Sequence, residues 1–118
     1  MRPETALYGY VYVGLIKTTK RLKIGITGKE PERRRRAIEH ASGLVFDDFY
    51  AVLMYNPGGC ERYLLRKFGR YRADRGEWLE LPEKLPVSKV EPIYKQLCGY
   101  LEARRCVYVC GDDHPLNK

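Results

Sequence analysis

Residues 8–27 read Tyr-Gly-Tyr-Val-Tyr-Val-Gly-Leu-Ile-Lys-Thr-Thr-Lys-Arg-Leu-Lys-Ile-Gly-Ile-Thr, and this stretch decides the fold. Residues 8–16 are mostly β-branched or aromatic and show no helical period, which predicts a strand. Residues 17–20 are polar and read as a turn. Residues 21–27 place apolar side chains at every second position, which predicts a strand with one buried face. The stretch therefore predicts an antiparallel β-hairpin.

Helices are predicted on both sides of a third strand. Pro31 suits the first turn of a helix, so we expect a helix over residues 31–42 that ends near Gly43. Residues 44–55, chiefly 49–55, predict the third strand. The remaining segments are a turn at 56–59, a helix over 60–71 with Glu61 in its first turn, a loop at 74–76, a short strand or edge segment at 78–81, a helix over 87–105 and a short last strand at 106–110.

These elements predict the α+β class and a single domain over residues 1–118. Its core, residues 8–81, is a small three-stranded antiparallel sheet flanked by helices. A C-terminal helical extension follows over residues 85–118. Its apolar positions either complete the core or form a dimer face, and completion of the core is the default.

The net charge of +7 is concentrated in one part of the chain. Residues 17–36 contain nine basic and two acidic residues, so this window alone carries the charge of the whole chain. A second basic cluster, residues 62–75, has six basic residues and one acidic residue. Segregated positive charge is typical of proteins that bind polyanions, although a solvated basic helix gives the same pattern. Because the four consecutive arginines at 33–36 span most of a helix circumference, at least one is expected near the buried side, paired with a carboxylate or a phosphate.

The cysteines and the chain start indicate an intracellular protein without a structural metal. Residues 1–4 show no apolar stretch, so we expect a cytosolic location and reduced thiols. Cys106, Cys110 and His114 are spaced more widely than a zinc knuckle, so buried strand cysteines are favoured over a zinc site. No apolar run reaches the roughly 20 residues of a membrane span.

Five short motifs occur in order along the chain: Gly9–Val13, Lys23–Thr27, Pro31–Arg34, Glu61–Leu65 and Glu77–Leu79. In this order and spacing the chain resembles the GIY-YIG nuclease superfamily. The resemblance is to the branch, common in phage and bacterial reading frames, whose second strand carries Lys-Ile-Gly. Leu65 stands where that branch usually has a histidine.

The resemblance implies hydrolysis of a DNA phosphodiester with one divalent ion, Mg²⁺ or Mn²⁺. It implies that Glu61 holds the metal and that Tyr12 orients or deprotonates the attacking water, with Lys23 nearby. A tyrosine has an ordinary pKa near 10, so this role needs help from a cation. The arginine that offsets transition-state charge is Arg34 by its spacing from Pro31, or Arg33 by its spacing from Lys23.

The other basic side chains are expected to position the nucleic acid. They are Lys17, Lys20, Arg21, Lys29, Arg35, Arg36, Arg62 and Arg66. The expected partner is DNA, with no membrane, and a homodimer is left open. Two alternatives remain: a nucleic-acid-binding module that is catalytically weakened or inactive, and a basic interaction or inhibitor protein that binds an acidic partner.

Overall fold

The protein was analysed as a computed structural model that describes residues 7–72, 78–82 and 85–105. The predicted loop at 74–76, Glu77, the last strand at 106–110 and His114 lie outside the described residues. So do residues 111–118 of the C-terminal extension and the chain start.

The sheet is antiparallel and has four strands. β1 (Tyr8–Ile16) and β2 (Arg21–Thr27) form the predicted hairpin, and β3 (Asp48–Tyr55) pairs with the other side of β1. β4 (Trp78–Glu80) pairs with the outer edge of β2, which gives the order β3-β1-β2-β4. The α+β class is confirmed, but three strands were too few, because the predicted edge segment joins the sheet with Leu79 fully buried opposite Leu22.

The two faces of the sheet are covered by different helices. α2 (Pro57–Lys67) and α3 (Val87–Ala103) share one core cluster with the face of β1 that carries Val11 and Val13. The opposite face carries Tyr12, which clusters with Ile38 of α1 (Pro31–Ser42). Because neighbouring residues of a strand point to opposite faces, Tyr12 is directed toward the arginine-bearing helix.

Helix α1 has the predicted bounds, whereas α2 begins three residues earlier than predicted and ends at Lys67, before a 3₁₀ turn at Gly69–Tyr71. Asn56 adopts a left-handed conformation, with φ of 54°, and its side chain accepts a hydrogen bond from the backbone N–H of Gly59. Pro57 then opens the helix, so the predicted turn at 56–59 is wrong. Glu61 is therefore the fifth helical residue rather than part of the first turn, where a carboxylate would chiefly serve the helix dipole.

Helix α3 completes the core. Val90, Leu97 and Leu101 have no exposed surface and belong to the cluster beneath the sheet. Its observed end at Ala103 is two residues short of the prediction. Among the described residues, no helix has the length and apolar character needed to cross a bilayer.

Candidate functional site

The phenol of Tyr12 lies at the centre of the α1-facing side of the sheet. Tyr12 has no exposed surface and stands directly opposite Gly25 in the β1–β2 register. A Cβ atom added to Gly25 would lie 2.2 Å from the Tyr12 hydroxyl oxygen and 2.3 Å from Cζ. The glycine of the second strand therefore has a packing role, since it makes room for the phenol above the neighbouring backbone.

An aromatic cluster holds this ring in place. Tyr12 stacks on Phe49 of β3, with ring centroids 5.3 Å apart and an interplanar angle of 22°. Phe49 in turn contacts Phe46 at 5.3 Å, and Phe46 lies nearly parallel to Trp78 of β4 at 6.1 Å. The stack supports Tyr12 with rings from two separate segments of the chain, which restricts the position of its hydroxyl.

Arg34 is the arginine that meets Tyr12. Its Nε donates a hydrogen bond to the Tyr12 hydroxyl oxygen over 3.3 Å. A guanidinium that donates to a phenol oxygen stabilises any negative charge that develops there. Two residues that were proposed together from the sequence, 22 positions apart, are thus in direct contact.

Lys23 lies on the same face of β2 as Gly25. The Lys23 residue is only 9% exposed, and its Nζ atom lies 5.1 Å from the centroid of the Trp78 ring. An ammonium that a largely buried lysine holds over an indole is a fixed positive charge rather than a freely moving surface group. Lys23 is thus placed on the side of the sheet that carries the Tyr12–Arg34 pair.

An open pocket of about 420 Å³ lies where β2 leads into α1. Its described lining residues are Ile26, Thr27, Lys29, Arg33, Arg34 and Ala37, and none of them is acidic. The Thr27 hydroxyl accepts a hydrogen bond from the backbone N–H of Lys29 over 3.1 Å, which orders the turn between strand and helix. The pocket is therefore lined by three cationic side chains, those of Lys29, Arg33 and Arg34, and the Arg34 residue is exposed.

Arg35 is the partly buried arginine that the four-arginine run predicted. Its side chain is 30% exposed and pairs with Glu39 at 3.5 Å and with Glu32 at 3.8 Å. It also donates to the backbone carbonyl oxygen of Phe46 over 3.3 Å. The anions that neutralise Arg35 are thus carboxylates of its own helix. Its hydrogen bond to the Phe46 carbonyl connects α1 to the aromatic cluster.

Several other predicted DNA contacts are also engaged in ion pairs. Lys17 pairs with Glu91 of α3 at 3.1 Å, and this contact raises the Lys17 pKa. Arg21 pairs with Glu80 at 3.0 Å, and Arg36 lies 4.0 Å from Glu32. Exposed pairs of this kind are weak and open readily when a polyanion competes for the cation. A role of these residues in binding DNA stays a prediction.

Lys20 and Lys29 occupy turns that flank β2. Lys20 lies in the hairpin turn with a left-handed φ of 53°, and Lys29 follows the strand and lines the pocket. Arg62 and Arg66 lie on the exposed side of α2, away from this pocket, and line a second concavity with Arg72.

Glu61 is placed on α2, whose start lies near the pocket end of the hairpin. A Cβ added to Gly9 would lie 3.1 Å from Pro57 Cγ and 3.5 Å from the carbonyl oxygen of Thr27. The first turn of α2 and the pocket-lining Thr27 therefore flank the same end of the β1–β2 pair. One carboxylate oxygen of Glu61, Oε2, is shielded from solvent. That Glu61 acts together with Tyr12 and Arg34 stays a prediction.

Sequence reasoning missed the supporting parts of this site. The glycine within β2 was a usable signal, because a glycine inside a strand indicates close approach of another group. The Glu39 partner of Arg35 was also readable from the i,i+4 spacing. The stack of Phe46, Phe49 and Trp78 had no such signal, since these residues come together only through the β3-β1-β2-β4 order.

Fold and site together define a basic α+β domain with a tyrosine–arginine pair beside a cationic pocket. The family model of the T5orf172 domain matches residues 9–98, so the chain belongs to the T5orf172 domain family. This is a nuclease-like, DNA-binding family, which is compatible with a nucleic-acid-related function. It is a different family from GIY-YIG, and the membership that the five motifs suggested is therefore wrong. No curated protein and no solved structure matches the chain.

Proposed function

We propose that this protein is a metal-dependent endonuclease that hydrolyses DNA phosphodiester bonds. The observation that carries the proposal is the hydrogen bond to the Tyr12 hydroxyl from Nε of Arg34, whose side chain also lines a cationic pocket. The nuclease-like character of the family supports the same reaction class.

The pocket is the proposed site of the scissile phosphate. Arg33, Arg34 and Lys29 line it, and guanidinium groups bind phosphate oxygens through paired N–H donors. Negative charge increases on the phosphoryl oxygens in the transition state, and fixed cations offset it without having to reorganise. Arg34 is the residue assigned to this charge, because its contact with Tyr12 holds the guanidinium in place. Arg33 is assigned to binding.

Tyr12 is proposed to orient the attacking water and accept its proton. Its ring is immobilised between Gly25 and Phe49, so the hydroxyl has a defined position relative to Arg34. Release of the Tyr12 phenol proton to solvent leaves a phenolate, whose negative charge the hydrogen-bonded Arg34 guanidinium stabilises. The phenolate then takes a proton from the water that attacks phosphorus. As the new P–O bond forms, the P–O bond to the leaving sugar oxygen breaks, and solvent water protonates that oxygen. Lys23, on the same face, adds positive charge to this region.

The donor set suits an ion that is held mainly by substrate and water. Among the described residues, no group of three or more His, Cys, Asp or Glu side chains could enclose a metal ion. Mg²⁺ usually keeps several waters and takes only one or two carboxylates together with phosphate oxygens. Glu61 would be the protein ligand, and Mn²⁺ would bind in the same way. When bound, such an ion would supply Lewis-acid stabilisation of charge on the phosphate.

The test is a plasmid-nicking assay in Mg²⁺ and, separately, in Mn²⁺. We expect the full-length protein to convert supercoiled plasmid to the nicked form and EDTA to stop the reaction. Tyr12→Phe and Arg34→Gln should each reduce the single-turnover rate about 10²-fold or more, in line with the loss of a proton acceptor or of a transition-state charge partner. Glu61→Gln should raise the Mg²⁺ concentration required for half-maximal rate.

Matched controls separate chemistry from folding and from bulk charge. Tyr55→Phe removes a hydroxyl from a tyrosine that is 62% exposed on β3, and Arg70→Gln removes a charge outside the pocket. Both should retain the wild-type rate. If purified wild-type protein binds DNA but does not cleave it, the endonuclease proposal is contradicted and the DNA-binding-module alternative is favoured. Absence of DNA binding even at low salt would leave the interaction-protein alternative.

A further inference from the structure

A second concavity, with lining residues different from those of the cationic pocket beside Arg34, lies on the outer side of α2. It has a volume of about 400 Å³ and is lined by Arg62, Leu65, Arg66, Gly69 and Arg72. Volumes of this order are within the range of small-ligand sites, roughly 300–1,000 Å³. None of the residues described as lining it is acidic.

Local structure fixes the spacing of the three arginines. Arg62 and Arg66 are one helical turn apart on α2, so their side chains leave the same face of the helix. Arg72 follows the 3₁₀ turn, and its backbone forms a β-bridge with Leu79 of β4. Leu65 is buried at the base of the concavity, and Gly69 has no side chain to fill it.

This arrangement of charge differs from that of α1. There, Glu32 and Glu39 pair with Arg35, and Glu32 also lies near Arg36. No ion pair among the described residues includes Arg62 or Arg66, and the acid of α2, Glu61, does not line the concavity. Like charges at i,i+4 destabilise a helix, so Arg62 and Arg66 repel each other unless an anion joins them.

We propose that Arg62, Arg66 and Arg72 form a binding site for a phosphate group. Guanidinium groups that converge on a concavity match the planar, bidentate recognition of phosphate oxygens. Leu65 and Gly69 leave room for the group that carries the phosphate. The site deepens the proposed function, on which its use in DNA binding rests, because it adds a second phosphate contact on a different surface from the Arg34 pocket. The phosphate is either part of the nucleic-acid backbone or a free anion.

The backbone source is tested by fluorescence anisotropy of a labelled DNA duplex at 50–200 mM salt. Each phosphate contact that is lost lowers the slope of log K against log salt by about 0.9. Arg66→Gln and Arg72→Gln should each lower the slope by about this amount. Arg70→Gln is the matched control, because it removes the same charge from the adjacent turn but lies outside the concavity, so its slope should stay near wild type.

The free-anion source is tested by titrating the full-length protein with inorganic phosphate at constant ionic strength. The Nε–Hε signals of Arg62, Arg66 and Arg72 are followed by NMR, with chloride as the comparison. Saturable shifts confined to these residues support the site, and Arg66→Gln should abolish them.

The outcomes separate this site from catalysis, because neither experiment measures cleavage. Lower slopes without saturable phosphate shifts support a site for the nucleic-acid backbone, and saturable shifts with unchanged slopes support a site for a free anion. Both results stand even if the plasmid is never nicked. Equal slope changes in Arg66→Gln and Arg70→Gln, together with no saturable shift, would overturn the proposal in favour of a diffuse positive field.

Discussion

Gly25→Ala is expected to impair the site although glycine carries no functional group. The new methyl group would lie 2.2 Å from the Tyr12 hydroxyl oxygen and 2.3 Å from Cζ. Ordinary van der Waals contact needs about 3.5 Å, so the phenol must withdraw by roughly 1 Å. Because the ring is stacked on Phe49 and fully buried, this movement must displace side chains that pack against it. A shift of this size disrupts the 3.3 Å hydrogen bond from Arg34.

The expected cost is visible in both stability and rate. Overpacking by one methyl group typically lowers the free energy of unfolding by about 1–3 kcal/mol, which urea denaturation measures as a lower midpoint at unchanged slope. Displacement of a reacting group by about 1 Å reduces the rate about 10²-fold. The nicking rate is measured at a temperature where the urea curve shows the variant fully folded.

Gly14→Ala is the matched control for this prediction. Its methyl group would lie 2.4 Å from Phe46 Cε1, so it should cause a similar overpacking penalty on the same face of the sheet. It makes no direct clash with Tyr12, because the Phe49 ring lies between Phe46 and Tyr12 in the stack. We expect Gly14→Ala to lose stability and to retain most of its rate when folded. Equal nicking rates for folded Gly25→Ala and wild type would refute the role given to the Tyr12–Arg34 geometry.

Three further predictions concern the framework that holds the site. Asn56→Ala should lower the free energy of unfolding by about 1 kcal/mol or more in urea denaturation, because it removes a helix cap at a left-handed position. The control, Asn56→Gly, should lower it by only a few tenths of a kcal/mol. Equal losses in the two variants would contradict the capping role of Asn56. Leu97→Ala should cost about 2–5 kcal/mol, since this fully buried residue joins α3 to the core, and a loss below 1 kcal/mol would show that α3 is dispensable. The Tyr50 hydroxyl donates to Glu102, and this hydrogen bond is the main cause of the lowered Glu102 pKa, with Arg105 contributing. Because the folded-state pKa is the lower one, the stabilisation is present above the ordinary glutamate value of about 4.3 and is lost as the pH falls through the folded-state value. Tyr50→Phe should therefore reduce the melting temperature at pH 7, and thermal scans at decreasing pH should show the difference from wild type closing; a constant difference would contradict the assignment.

Local sequence signals predicted the hairpin and α1 because their determinants are close together in the chain. The polar turn between two apolar runs sets the register of β1 and β2, and Pro31 and Gly43 set the two ends of the helix. The family assignment from five short motifs was wrong, because each motif is brief and degenerate, whereas the model of the T5orf172 domain tests residues 9–98 as a whole.

The candidate site residues came from the resemblance to GIY-YIG nucleases rather than from local signals. The structure brings Tyr12 and Arg34 into contact, and their roles stay predictions. The choice between Arg33 and Arg34 was left open, because one position along a helix turns a side chain by about 100°, and only the docking of α1 decides which guanidinium faces the sheet. The position of Glu61 within its helix was misjudged by three residues, because the left-handed cap at Asn56 is not evident from composition.

The sequence by itself determined most of the elements and the segregation of charge. Those features follow from local periodicity, turn chemistry and the order of charges, none of which depends on distant partners. Only the tertiary structure decided that β4 extends the sheet, that Arg35 is neutralised by Glu39, and that Gly25 makes room for the Tyr12 phenol. It also brought Arg72 to the same concavity as Arg62 and Arg66. These contacts join separate elements across the fold, so they exist only when the helices pack on a particular face of a sheet with a particular strand order.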